Sequence, residues 1–161
     1  MNIGVTGHQN LISNEIKEWV QKSLSEYLLK YDDIIGFSCL AEGADQVFAE
    51  EILKKGFNLV VIIPSHNYEK SFSNRSARIN FSDLLLKSSK IINLSFKIPC
   101  EEAYWEAGKT IVDNSDLVFA IWNGKEAKGL GGTGDIVKYA MSKGKTILHF
   151  DISKKSIKKI I

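Results

Sequence analysis

Apolar runs of strand length alternate along this sequence with segments whose apolar residues recur at helical spacing, and glycine-rich turns follow several of the runs. These observations predict an α/β domain: a Rossmann-like parallel sheet of about six strands with helices on both faces. No linker or internal repeat interrupts the pattern, so residues 1–161 read as a single domain.

The elements follow in order. Asn2–Thr6 is apolar and stops at Gly7, a first strand and its turn. Ser13 or Asn14 caps a helix along which Ile16, Trp19, Val20, Leu24 and Leu28 recur with Lys and Glu between them. Asp33–Leu40 predicts the second strand. Ala44, Val47, Phe48 and Ile52 mark the second helix, ended by Gly56. Leu59–Ile63 is nearly pure Val and Ile, closed by Pro64, and suits a strand covered on both faces. Ser65–Arg78 is polar with Tyr68 and Phe72 inserted, and reads as a mobile loop over a site. Leu84–Leu86 belong to a helix and Lys90–Leu94 to a fourth strand. Ala103, Ala107 and Ile111 mark another helix, and Leu117–Trp122 a fifth strand. The glycine-rich stretch Asn123–Gly134 opens a helix carrying Ile136, Val137, Ala140 and Met141. Thr146–Phe150 is read as the last strand, and the Lys- and Ile-rich tail Ser153–Ile161 as a short surface helix with a solvated face.

Composition narrows the function classes. Hydrophobic residues make up 44% and charged residues 25%, an ordinary globular balance. The net charge of +2 gives no reason to expect a nucleic-acid partner. Cys39 and Cys100 form no CxxC pair, and His8, His66 and His149 are scattered, so reduced thiols and no metal are expected. No secretory signal is read and no apolar run approaches the roughly 20 residues of a membrane span, so a cytoplasmic protein without membrane association is expected.

Ligands in open parallel sheets bind beyond the carboxyl ends of the strands, so the turns there carry the chemistry. In Gly4-Val5-Thr6-Gly7-His8, Gly7 lets backbone approach a ligand and Thr6 offers a hydroxyl; no GKS or GKT follows, so this is no Walker loop. In Leu40-Ala41-Glu42-Gly43-Ala44-Asp45, Gly43 turns the chain. Glu42 and Asp45 there either cap the helix or accept a ribose hydroxyl. Gly129-Leu130-Gly131-Gly132-Thr133-Gly134-Asp135 is the strongest signal: four glycines between strand and helix, where open N–H groups and the helix dipole make a phosphate site. Asp116 either begins the fifth strand or meets a ligand, and Trp122 is either core or stacks on a base. Arg75 and Arg78, the only arginines, suit phosphate contacts, Arg78 more so because it lies nearer the following helix. Glu42, Asp45, Asp116 and Asp135 are the candidate catalytic carboxylates. Apolar positions on the helix near Tyr104 and Trp105 are compatible with an interface between copies or with intramolecular core.

Gly-Val-Thr-Gly-His at 4–8, Ala-Glu-Gly-Ala-Asp-Gln at 41–46, Ala-Tyr-Trp-Glu-Ala-Gly at 103–108, Ser-Asp at 115–116, Trp-Asn-Gly at 122–124 and Gly-Gly-Thr-Gly-Asp at 131–135 together resemble the SLOG superfamily. It is named for the Smf (DNA-processing) and LOG (lonely guy) proteins. The resemblance implies a Rossmann-like fold, a nucleotide-derived ligand and a homodimer or homotetramer. Members include cytokinin-nucleotide phosphoribohydrolases and antiphage sensor domains for cyclic ADP-ribose-type signals. The hydrolase branch carries Pro-Gly-Gly-x-Gly-Thr-x-x-Glu. On this chain its Pro falls at Leu130, its Thr at Asp135 and its essential Glu at Lys138, and a lysine cannot do a carboxylate's work. Close relatives often carry Arg after the first-loop His, where this chain has Gln9. The resemblance therefore implies binding without turnover, as a receptor or sequestering protein, with N-glycosidic hydrolysis as the alternative and no separate cofactor.

Overall fold

The computed structural model describes residues 1–126 and 129–161. Ala127 and Lys128, inside the predicted glycine-rich stretch, lie outside the described residues. The elements are β1 (Asn2–Gly7), α1 (Asn14–Leu28), β2 (Ile35–Ser38), α2 (Ala44–Lys54), β3 (Asn58–Ser65), a 3-10 turn (Tyr68–Ser71), α3 (Arg75–Lys87), β4 (Lys90–Phe96), α4 (Glu101–Asp113), β5 (Leu117–Trp122), α5 (Thr133–Ser142), β6 (Thr146–Asp151) and β7 (Ser156–Ile160).

Among the described residues seven strands form one sheet in the order β4-β3-β2-β1-β5-β6-β7. All neighbours pair in parallel except β6 and β7. The chain steps outward from β1 to β4 and then returns to place β5 on the other side of β1. That reversal opens a crevice between β1 and β5 at their carboxyl ends, where open α/β sheets bind ligands. The strands that flank it read as continuous apolar runs because helices cover both faces. On one face α1, α2 and α3 pack through Val20, Leu24, Phe48, Ile52 and Phe81. On the other, α4 and α5 cover Phe37, Val60, Ile62, Val118 and Ala120.

Two local features follow from residue chemistry. Ser13 caps α1 by accepting from the Ile16 N–H. Pro64, which has no N–H to donate, sits where the β3–β4 register shifts between Ile63 and Ser65.

The tail is a strand rather than a surface helix. Asp151 Oδ1 accepts from the N–H groups of Ser153 and Lys154 and turns the chain into a hairpin. Ile157 then pairs with Phe150 and Ile160 with Ile147. This adds a seventh strand to the roughly six expected. Lys158 and Lys159 stand exposed on that edge, while the opposite edge, β4, leaves Ile91 43% exposed.

Ser65–Arg78 also departs from expectation. It is not a free loop: the Tyr68–Ser71 turn and the start of α3 occupy it, and Tyr68 and Phe72 are buried. Their rings meet at 5.0 Å and both reach Phe81, at 5.9 and 5.5 Å. The two rings are packed into the body of the chain rather than carried on a mobile loop, since burying them gains more than exposing them on a lid would.

Candidate functional site

A cleft of about 870 Å³ lies at the β1/β5 crevice. Its floor is Thr6, Gly7 and His8 at the end of β1. One wall is Trp122, Asn123 and Lys125 after β5 with Gly131, Gly132 and Thr133 at the start of α5. The other is Cys39, Asp45, Tyr68 and Tyr104.

Packing fixes the β1 end. The His8 N–H donates to the Ile121 carbonyl (2.9 Å), and the His8 carbonyl accepts from the Ala44 N–H (3.0 Å). A Cβ on Gly7 would lie 2.4 Å from Ala44 Cβ and 2.6 Å from the Ile121 carbonyl oxygen. Gly7 is therefore required by the approach of α2 and β5 to β1, which a close ligand would only add to. Gly43, at φ +85°, would press a Cβ against the Gln9 and His8 carbonyls, so it fits the turn in both conformation and space.

Asp45 neither caps α2 nor stands open. The helix start at Gly43 has no side-chain cap. Asp45 is 6% exposed, and its Oδ2 accepts from the Cys39 N–H (3.1 Å) and the Ser38 hydroxyl (3.3 Å). Burial pushes its carboxyl up to about 7, against the opposing pull of hydrogen bonds from Cys39, Ser38 and Ala41. Burial, reinforced by Asp45, likewise pushes the Cys39 thiol up, which makes it a poor nucleophile.

At the α5 start Gly132 is the N-cap residue without a side-chain cap, and its carbonyl accepts from the Asp135 and Ile136 N–H groups. The N–H groups of Thr133 and Gly134 find no backbone acceptor among the described residues, which leaves first-turn donors for an anion. Gly131, at φ +81°, would carry a Cβ 2.7 Å from the Trp105 backbone N, so α4 also dictates this glycine. Glu101, in the first turn of α4, abuts the loop: a Cβ on Gly129 would lie 2.8 Å from its Oε1.

The structure thus gathers Thr6, Gly7, His8, Asp45, Trp122, Gly131, Gly132 and Thr133 in one cleft. Six other candidates fall elsewhere, Arg75 among them, exposed at the start of α3. Glu42 and Gly43 line a separate polar groove between the starts of α1, α2 and α3. Arg78 is exposed on α3 and lines neither cavity, because its segment is helix rather than lid. Asp116 lies at the amino edge of the sheet, where its carboxylate accepts from the Asn2 N–H (2.8 Å); this is the end away from the cleft. Asp135 lies in the first turn of α5 but does not line the cleft. Trp122 is 8% exposed and packed with Val137 and Ile136, so it is a wall and not an open stacking surface; its Nε1 is sealed without a partner among the described residues. Sequence reasoning passed over Glu101, Tyr104 and Lys125 as cleft residues. Only the Ala-Tyr-Trp-Glu-Ala-Gly string at 103–108 hinted at the second of these. Tyr104 and Trp105 pack inside the chain, against Tyr68 and Tyr139, which removes them as evidence for an interface between copies.

The fold finds counterparts among solved structures. DNA processing protein A from Streptococcus pneumoniae superposes over 92% of this chain with a TM-score of 0.64 at 17% identity. The chain carries the Rossmann-like fold of DNA processing protein A. The Helicobacter pylori DNA processing protein A, described for its single-stranded DNA binding mode, gives the same TM-score over 92% of the chain at 15% identity. The structural-genomics target TM1055 gives 0.59 over 91% at 16% identity. The chain spans 49% and 64% of the two DNA processing proteins and 71% of TM1055. At the level of fold this agrees with the SLOG resemblance. No family model and no curated protein matches the sequence. The expectation of no nucleic-acid partner is overturned by the Helicobacter pylori neighbour. It rested on net charge, which averages over a surface and does not report the local charge of a groove. No described helix is long and apolar enough to cross a membrane.

Proposed function

We propose that this chain binds a phosphate-bearing, nucleotide-derived ligand in the switch-point cleft and holds it without turnover, as a receptor or sequestering protein for a small nucleotide signal of the cyclic ADP-ribose type. The observation that carries this reading is the convergence of the β1 turn, the β5 turn and the N-terminus of α5, with first-turn N–H groups that find no backbone acceptor among the described residues, on one cleft of about 870 Å³. Absence of turnover is supported by Lys138, which stands where the hydrolase pattern has its Glu. It is exposed on α5, outside the cleft lining, with its ammonium 3.6 Å from Glu126.

A second reading is favoured by the fold neighbours: the same cleft accepts a nucleotide unit of single-stranded DNA. Both readings share sugar-phosphate chemistry and part on the length of the ligand. Calorimetric titration with nucleoside monophosphates, ADP-ribose and a short deoxyoligonucleotide, followed by chromatography of the mixtures, tests them together. Small-ligand binding with no released base supports the first reading. Tight binding of the oligonucleotide alone supports the second. Free base accumulating over time overturns the absence of turnover.

A further inference from the structure

The two ends of the cleft differ in chemistry. The α5 end offers Asn123, Lys125, Thr133 and backbone N–H groups, with the carboxylates of Glu101 and Glu126 also in its lining. The far end is made by Cys39, Asp45, Pro64, Tyr68, Tyr104 and Ile111, none of them basic. A phosphate is unwelcome there, beside a carboxyl and two phenols; a flat, neutral, hydrogen-bonding group fits.

Tyr68 is the distinctive residue of that end. It is 4% exposed, and its ring is held edge-on by Phe72 (5.0 Å) and Phe81 (5.9 Å) with Tyr104 at 6.1 Å. Its hydroxyl makes no hydrogen bond among the described residues, yet the one sealed, unpartnered side-chain polar atom among them is Trp122 Nε1. An unpartnered hydroxyl on a residue that lines the cleft is placed to meet a ligand there. Burying a phenol without a partner is costly, and a rigid aromatic cage that presents one to a cavity is a preorganised hydrogen-bonding group.

We propose that this end is a base-recognition subsite, in which the Tyr68 hydroxyl hydrogen-bonds the edge of a heterocyclic base whose sugar crosses β1 and whose phosphate rests at the start of α5. The proposal rests on the nucleotide reading of the cleft and adds its polarity and its requirement for a base. Three strand spacings separate β3 from β5, about 14 Å, a span that a base, a sugar and one or two phosphates can bridge. Asp45, bonded to Cys39 and Ser38, is a positioning residue that holds the β2–α2 turn behind the subsite.

The test is calorimetry on the full chain, wild type and Tyr68→Phe, with AMP, GMP, CMP, UMP and the base-free probe ribose 5-phosphate. The variant is expected to weaken the best-bound monophosphate about three- to tenfold, the loss of one neutral hydrogen bond. Ribose 5-phosphate affinity is expected to stay unchanged. The melting temperature of the ligand-free variant is expected not to fall, because the hydroxyl supports nothing inside the protein. An unchanged ratio of monophosphate to ribose 5-phosphate affinity overturns the subsite and leaves the nucleotide reading standing. So does a lowered melting temperature with equal loss of both ligands, which marks a structural role. If the wild type binds no probe, the nucleotide reading itself fails, and the subsite with it.

Discussion

Replacing Asp45 by Asn should change how stability depends on pH more than it changes stability at any one pH. The carboxyl has an ordinary value of 3.8 and is pushed up to about 7 in the folded chain, chiefly by burial. The folded state thus holds its proton more tightly than the unfolded state. Below about pH 4 both states are protonated and the contribution is at its full value. As pH rises from about 4 to about 7 the unfolded chain releases the proton first, and stability falls. At about 1.4 kcal/mol per unit, the interval is worth about 4 kcal/mol, a large share of the 5–15 kcal/mol that holds a domain together. Asn keeps an oxygen to accept from the Cys39 N–H but has no proton to lose. Urea denaturation of wild type and Asp45→Asn at pH 4, 5, 6, 7 and 8 measures the difference. The variant is expected to be the weaker protein at pH 4 and to gain steadily on wild type up to pH 8. A difference that stays flat across the series would refute the reasoning: the hydrogen bonds from Cys39, Ser38 and Ala41 would then have outweighed burial and kept the group ionised throughout.

The glycine loop yields a contrasting pair. Gly131→Ala forces a Cβ into a left-handed backbone and against the Trp105 N, so a lowered melting temperature is expected, from roughly 1–2 kcal/mol of conformational strain plus the clash. Gly132 sits at φ −69°, which Val adopts freely; Gly132→Val should keep its melting temperature while losing at least tenfold in nucleotide affinity by calorimetry. Arg78→Ala should leave affinity within threefold of wild type at fixed salt, since Arg78 lines neither cavity; a larger loss would restore a lid over the site.

The sheet was legible because its inner strands are covered on both faces and carry their signal in composition. Leu59–Ile63 and Leu117–Trp122 are apolar throughout, and the second was read to the residue. The tail was misread because Lys158 and Lys159 break a strict alternation, and its fate depends on Asp151 turning the chain back, a contact that local pattern does not contain. Polar composition misled for Ser65–Arg78, where two buried aromatics outweigh the Ser and Asn around them. Within the cleft, residues on strand ends and glycine turns were readable from the switch-point rule. Tyr104 and Glu101 were not, since α4 reaches the site through packing and not through its place in the chain. Of the two readings of Asp116, the structure fits the strand start: it precedes β5, and only the far end of that strand faces the cleft.

The two edges of the sheet are unequal, and this limits how the molecule can grow. A strand arriving beside β7 meets Lys158 and Lys159, whose charges must be buried or displaced before backbone pairing begins. A strand arriving beside β4 meets exposed Ile91 and half-buried Ile92 and Leu94, with Lys90 as the one charge in the strand. Strand addition is therefore directional, open at β4 and guarded at β7. A Lys placed at Ile91 would close the open side, and the concentration at which heated protein begins to aggregate should rise accordingly.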